Sequence, residues 1–171
     1  MEHLQYPIGK FNKDKTYTLV ENTISKEYLG AFPDFLIALT ENLSTEELSK
    51  TYRSEGWNIR QIVHHIADSH LNMYVRFKWA LTEENPTIKG YNEADWAELS
   101  DSKMPIQASL EIIKGLHQRI VNLIENMKSE DFDRSYFHAG YQRVYLLKTV
   151  IPLYEWHSKH HLEHIKIALN S

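Results

Sequence analysis

The stretch KTVIPLYEWHSKHHLEHIKIAL, residues 148–169, decides the fold class because its apolar residues and its histidines share one stripe. The members of this stripe follow one another at steps of four and three residues: Val150, Tyr154, His157, His161, His164 and Ala168. Such steps place side chains on one face of an α-helix. The pattern predicts a long helix over 148–169, with Thr149 as its N-cap and Pro152 in the first turn, where a missing N–H costs little.

Three more segments show apolar residues at helical spacing. They predict long helices at about 25–43, 58–83 and 106–128. Ser25 and Asn58 are suited to cap the first two, because a short polar side chain can accept a hydrogen bond from the first turn. Pro33 lies inside the first of these helices and predicts a kink or a local break there.

The connections between the long helices differ in length. The sequence predicts a surface strap over 1–23, a capped helical turn from Ser44 to Lys50, a long loop over 84–105 with a short turn at 93–99, and a loop or small hairpin over 129–146. Four long helices with two long connections are typical of an all-α four-helix bundle with crossover connections. We expect the whole chain, 1–171, to form one domain.

The composition excludes several classes of protein. The sequence has no cysteine, so disulfides, thiolate metal sites and cysteine nucleophiles are excluded. The net charge is −4 with acids and bases interspersed, which argues against a nucleic-acid partner. The beginning of the sequence lacks a signal-peptide pattern, and no apolar run approaches the roughly 18–20 residues that span a bilayer. We expect a cytoplasmic protein with no membrane partner.

Ten histidines are the unusual feature of the composition. His157 and His161 lie about one helical turn apart on the same face, a spacing that lets two imidazoles share one metal ion. A single buried histidine is usually a core residue with its own partner. Several on one inward stripe favour a metal, because each unpaired buried ring costs about 1–3 kcal/mol. We expect His160, on the outer side of this helix, to be solvated.

A third ligand should come from the helix at 58–83. It contains His64, His65 and His70, of which His70 lies nearest the centre of the apolar stripe. The periodicity therefore favours His70 or leaves the choice open.

Three longer segments carry a resemblance to a known family. They are YPIG (6–9), GWNIRQIVHHIADSHLNMYVRFKWALTEENPTI (56–88) and LYEWHSKHHLEHI (153–165). Together they resemble the DinB superfamily, and within it the YfiT-like metal-dependent hydrolases. The resemblance implies a four-helix bundle that carries one divalent metal on three histidines.

The resemblance also assigns the ligands. In the family, the first ligand precedes a bulky apolar residue, a small residue and an acid, which here selects His65. The other two are implied to be His157 and His161. Many relatives continue the last motif with Arg-Gly-Gln, whereas this chain has Leu162-Glu163-His164. The roles of His64, His70 and His164 therefore stay open.

Three imidazoles leave a divalent ion with an open position, an arrangement typical of catalytic sites. Imidazole ligands suit several metals, with zinc the default and nickel an alternative. We expect a hydrolase that activates water for attack on a small-molecule substrate. Asp68, three residues after His65, is a candidate catalytic acid or base, and its alternative role is that of a solvated helix residue.

Two other functions stay open. One is an S-transferase that activates a low-molecular-weight thiol such as bacillithiol, as related DinB-like proteins do. The other is a metal-binding or stress-response protein without catalysis. A homodimer is plausible for this family.

Overall fold

The computed structural model describes residues 2–171, and helices dominate it. In chain order the elements are α1 Glu2–Gln5, α2 Leu19–Thr40, α3 Thr45–Leu48, α4 Ile59–Thr82, β1 Thr87–Ile88, α5 Glu93–Ala97, a 3-10 turn Ser100–Lys103, α6 Gln107–Glu125, a second 3-10 turn Ser129–Asp133, β2 Ser135–His138, β3 Arg143–Leu146 and α7 Leu147–Leu169. Among these residues no helix is both long enough and apolar enough to cross a membrane.

The four long helices form the bundle that the sequence predicted. Helix α2 packs against α6 and α7, and α4 packs against the same two helices. Helices α2 and α4 therefore lie diagonally opposite each other, as do α6 and α7. The connections from α2 to α4 and from α6 to α7 cross between diagonal positions, which confirms the crossover connections.

The bundle core consists of two apolar clusters with histidines between them. One cluster is built around Phe32, Ile62 and Ile165, and the other around Phe77 and Ile151. Between these clusters the inward side of the bundle carries imidazole rings from three helices: His65 and His70 on α4, His117 on α6, and His157 and His161 on α7. Polar rings inside a bundle need partners, because burial removes their hydrogen bonds to water.

The helix ends correct two predicted caps. Helix α2 begins at Leu19, where Thr18 and Glu21 form a capping box. Ser25 is therefore not a cap: it is buried inside the helix, where its hydroxyl donates to Glu155 Oε2 at 2.5 Å. Thr149 is not a cap either, because α7 begins at Leu147 without a side-chain cap. The start at Leu147 also moves Pro152 out of the first turn.

Helix α2 runs through Pro33 without interruption, so the predicted local break is wrong. The predicted surface strap is also shorter than expected, since α2 begins earlier and α1 occupies part of the N-terminal segment.

Other local predictions are confirmed. Asn58 caps α4 in a capping box with Gln61, and Ser44 does the same for α3 with Glu47. The segment 129–146 contains the hairpin of β2 and β3, in which Tyr136 pairs with Tyr145. The long loop supplies β1, which pairs parallel with β2, and the helical turn α5.

Candidate metal centre

His65 on α4 and the HxxxH pair on α7 meet inside the bundle. One ring nitrogen from each of His65, His157 and His161 lies within 4.8 Å of the other two. The two Nε2 atoms of His65 and His157 are 3.2 Å apart. Two nitrogens bound tetrahedrally to one ion at roughly 2.0–2.1 Å would lie about 3.3–3.4 Å apart. The spacing of these atoms therefore fits a shared ion.

The three rings are also in the right protonation state for a metal. Burial lowers the pKa of His65 to about 4. Burial, together with neighbouring histidines, lowers the pKa of His157 and His161 well below the ordinary value. All three imidazoles are therefore neutral near pH 7, the form that binds transition metals. Such a donor set suits zinc, nickel, copper and iron.

The structure separates the three histidines of α4 that the periodicity left open. His64 points towards the start of α6, where its Nδ1 lies 2.7 Å from Ser109 Oγ, and its Nε2 lies 3.0 Å from Met104 O in the segment before α6. His70 lies behind the α7 pair, with its Nε2 3.2 Å from Nδ1 of His157. Of the three, His65 is the one that faces both histidines of the HxxxH pair.

His160 is buried, with 7% of its surface exposed, so the prediction that it is solvated is wrong. Trp156 stacks on its ring at a centroid distance of 4.5 Å, and Tyr6 from the N-terminal segment lies 6.0 Å away. His160, His161 and His164 form a second group whose ligand atoms lie within 4.8 Å of one another. His161 thus belongs to two possible metal-binding groups.

Trp57 lies beside His65, and Asp68 follows His65 by three residues on α4. Trp57 packs on His65 with ring centroids 4.7 Å apart. Asp68 is half-buried, and burial, then the charge of Asp101, raise its pKa, whereas His64 lowers it. Asp68 belongs to neither histidine group of residues 2–171. Its part in catalysis stays a prediction.

Sequence reasoning missed a buried arginine further along α4. Arg76 is 8% exposed and donates to the backbone oxygen of Lys89. Among the side chains of residues 3–171, no carboxylate lies within 4.0 Å of it. Arg76 lines a cavity of about 540 Å³ together with Tyr91 and Trp96. A guanidinium beside a cavity suits a carboxylate or phosphate group. Its sequence signal, one arginine in a helix, is too common to have identified it.

Comparisons with known proteins agree with this architecture. The DinB superfamily profile matches residues 29–165. A protein of Bacillus pumilus named "Putative metal-dependent hydrolase" is 47% identical over 167 residues, covering 96% of this chain and 94% of that protein. A similarly named protein of Halalkalibacterium halodurans is 42% identical over 165 residues, covering 96% of each.

A solved structure shows the same fold. It is YfiT from Bacillus subtilis, described as "a probable metal-dependent hydrolase with an unusual four-helix bundle topology". The two structures superpose with a TM-score of 0.92 at 37% sequence identity, covering 96% of this chain and 94% of YfiT. The crossed bundle, the length of the matched segment and the close relatives lead to one conclusion: this chain belongs to the DinB superfamily.

Proposed function

We propose that the protein binds one divalent transition metal on His65, His157 and His161 and hydrolyses a small electrophilic substrate. The observation that carries the proposal is the meeting of three neutral imidazoles from two helices, with Nε2 of His65 and His157 3.2 Å apart. Neither group of possible ligands in residues 2–171 includes a carboxylate. Three protein ligands leave a position open for water or substrate.

This geometry suggests a separate role for each side chain around the site. When bound, the ion supplies Lewis acidity and activates water near neutral pH. His65, His157 and His161 hold the ion, and Trp57 shields the His65 ring from solvent. Zinc is the default occupant and nickel the alternative. Asp68 is the candidate for proton transfer, and its half-buried carboxyl, with a raised pKa, suits that role.

The names of the relatives support hydrolysis as the reaction class. The B. pumilus and H. halodurans proteins are named for metal-dependent hydrolysis, and YfiT is described in similar words. The thiol S-transferase and the metal-binding protein without catalysis are the alternatives. The cytoplasmic location and the homodimer stay predictions.

A substrate screen with defined metal loading tests the proposal. Metal-free protein is reloaded with Zn²⁺ or Ni²⁺ and incubated with activated esters, amides and epoxides, each with and without low-molecular-weight thiols. Half of the panel carries a carboxylate or phosphate, because Arg76 lines a cavity of about 540 Å³ in this protein. Product formation with water alone supports the hydrolase. Adducts that require a thiol identify the S-transferase, and an inert panel favours metal binding without catalysis.

The matched variants are His65→Ala and His160→Ala. Each removes a buried imidazole, but only the first belongs to the proposed site. We expect His65→Ala to lose both metal and activity and His160→Ala to keep both. Activity that survives His65→Ala would contradict the proposed site.

A further inference from the structure

The two prolines inside long helices each leave one backbone carbonyl without its helical donor. Proline has no N–H, so Pro33 frees the oxygen of Leu29 and Pro152 frees the oxygen of Lys148. Both oxygens accept from a side chain on another helix. Asn22 Nδ2 lies 3.1 Å from Lys148 O, and His117 Nδ1 lies 2.6 Å from Leu29 O. The proline in α2 therefore creates an acceptor for a buried histidine of α6.

The carbonyl of Leu29 fixes the position of the proton on His117. A carbonyl oxygen only accepts, so Nδ1 of His117 must carry the hydrogen. Burial lowers the pKa of His117 to about 4, so its ring is neutral at pH 7 and its Nε2 holds a lone pair. Nδ1 of His70 lies 2.7 Å from that lone pair. His70 therefore donates from Nδ1 and keeps its own lone pair on Nε2.

The same alternation of N–H donor and lone-pair acceptor continues from His70 to the candidate metal centre. Nε2 of His70 lies 3.2 Å from Nδ1 of His157, so His157 donates from Nδ1. Its remaining lone pair is on Nε2, the atom 3.2 Å from His65 Nε2. This first relay takes one group from each long helix: Leu29 O from α2, His117 from α6, His70 from α4 and His157 from α7. Phe32 packs on the rings of His70 and His117, with ring centroids 5.6 Å and 5.3 Å apart, respectively.

A second, shorter relay reaches the other ligand of α7. Nε2 of His164 lies 3.1 Å from Leu4 O and 3.3 Å from Gln5 O, so this nitrogen carries the proton. The lone pair of His164 is then on Nδ1, which lies 3.4 Å from Nδ1 of His161. His161 donates there and keeps its lone pair on Nε2. This relay uses Nδ1 of both His161 and His164 in their mutual contact.

We propose that His70, His117 and His164 are positioning residues, which hold His157 and His161 as Nδ1–H tautomers so that both present Nε2 to the metal. The proposal rests on the proposed metal site and extends it to three histidines and the two backbone segments that anchor them. Hydrogen bonds from the far nitrogen of a ligating imidazole fix its orientation and raise its basicity. Pro33 contributes by freeing the terminal carbonyl of the longer relay.

The direct test needs no variant. Long-range ¹H–¹⁵N correlation spectra show which nitrogen of each neutral imidazole carries the proton. In the zinc-loaded protein we expect the proton on Nδ1 of His70, His117, His157 and His161, and on Nε2 of His164. A proton on Nε2 of His117 or His70, or zinc on Nδ1 of His157, would overturn the proposal. The tautomers of His70 and His117 are also measurable without metal, so this test stands even if no hydrolysis is found.

A pair of variants separates positioning from packing. His117→Ala removes the middle of the longer relay without touching a proposed ligand, and His64→Ala removes a buried histidine of α4 that is bonded to Ser109 and Met104 instead. Competition with a chelator measures the affinity for Zn²⁺. We expect His117→Ala to weaken binding about 10–100-fold, the usual cost of losing such a partner, and His64→Ala to leave it unchanged. Equal affinities in the two variants would show that His117 only fills space.

Discussion

Acid should destabilise the metal-free protein strongly, because its buried histidines resist protonation only while it is folded. Burial lowers the pKa of His65 and of His117 from 6.5 to about 4. A lowered folded-state pKa means that the unfolded chain binds more protons below pH 6.5. The free energy of unfolding therefore has its full value above about pH 6.5 and falls as the pH drops from there towards 4.

The size of the effect follows from the two pKa values. At pH 5 each of these histidines is almost fully protonated in the unfolded chain and almost neutral in the folded protein. This difference lowers the free energy of unfolding by about 2 kcal/mol per ring. His65 and His117 together account for about 4 kcal/mol, a large part of the roughly 5–15 kcal/mol that stabilises a typical domain. His70, His157 and His161 act in the same direction.

Urea unfolding of the metal-free protein at pH 8, 6 and 5, followed by circular dichroism, measures this loss. We expect the free energy of unfolding to fall by at least about 4 kcal/mol between pH 8 and pH 5. In His117→Phe one titrating ring is gone, so the slope should decrease by up to about 1.4 kcal/mol per pH unit. A free energy of unfolding that is flat between pH 8 and 5 would refute the account of neutral buried rings.

Three further outcomes follow from the same structure. Phe32 is fully buried against His70 and His117, so Phe32→Ala should lower the free energy of unfolding by about 3–5 kcal/mol. Phe35→Ala changes a side chain that is 49% exposed and should alter this free energy little. Urea denaturation of the two variants measures the difference. Thr18→Ala removes the capping box of α2 and should cost about 1 kcal/mol in the same assay. Zn²⁺ present at about a thousand times its dissociation constant should raise the free energy of unfolding by roughly 4 kcal/mol, which a thermal-shift assay detects as a higher melting temperature. An unchanged melting temperature would contradict binding to the folded state.

The helices were predictable because their signals are local. Asn58 and Ser44 lie directly before helical periodicity, and both cap a helix as expected. Ser25 and Thr149 have the same chemistry, yet neither is a cap, because both helices begin earlier. Helix α2 begins after Thr18, whose capping box with Glu21 has the T-x-x-E spacing of a helix start, and α7 begins at Leu147 with no side-chain cap. Ser25 instead donates to Glu155 of α7, a contact between residues distant in sequence.

The histidines show where periodicity stops being informative. A helical wheel places His64 and His65 on either side of one stripe and does not choose between them, whereas the family resemblance selected His65. The packing of α4 against α6 and α7 separates the two rings: Ser109 pairs with His64, and His157 lies opposite His65. The helical spacing predicts that His160 faces outward, but Tyr6 packs near its ring, and no local pattern reveals a contact that comes from the far end of the chain. The relay through His117 depends in the same way on a carbonyl of α2.

The position of the metal itself tests the central claim most directly. Crystals of the zinc-loaded protein, measured at the zinc absorption edge, give an anomalous difference peak at the ion. We predict one strong peak at roughly 2.0–2.1 Å from a ring nitrogen of each of His65, His157 and His161. A peak on His160, His161 and His164, with none near His65, would contradict the account.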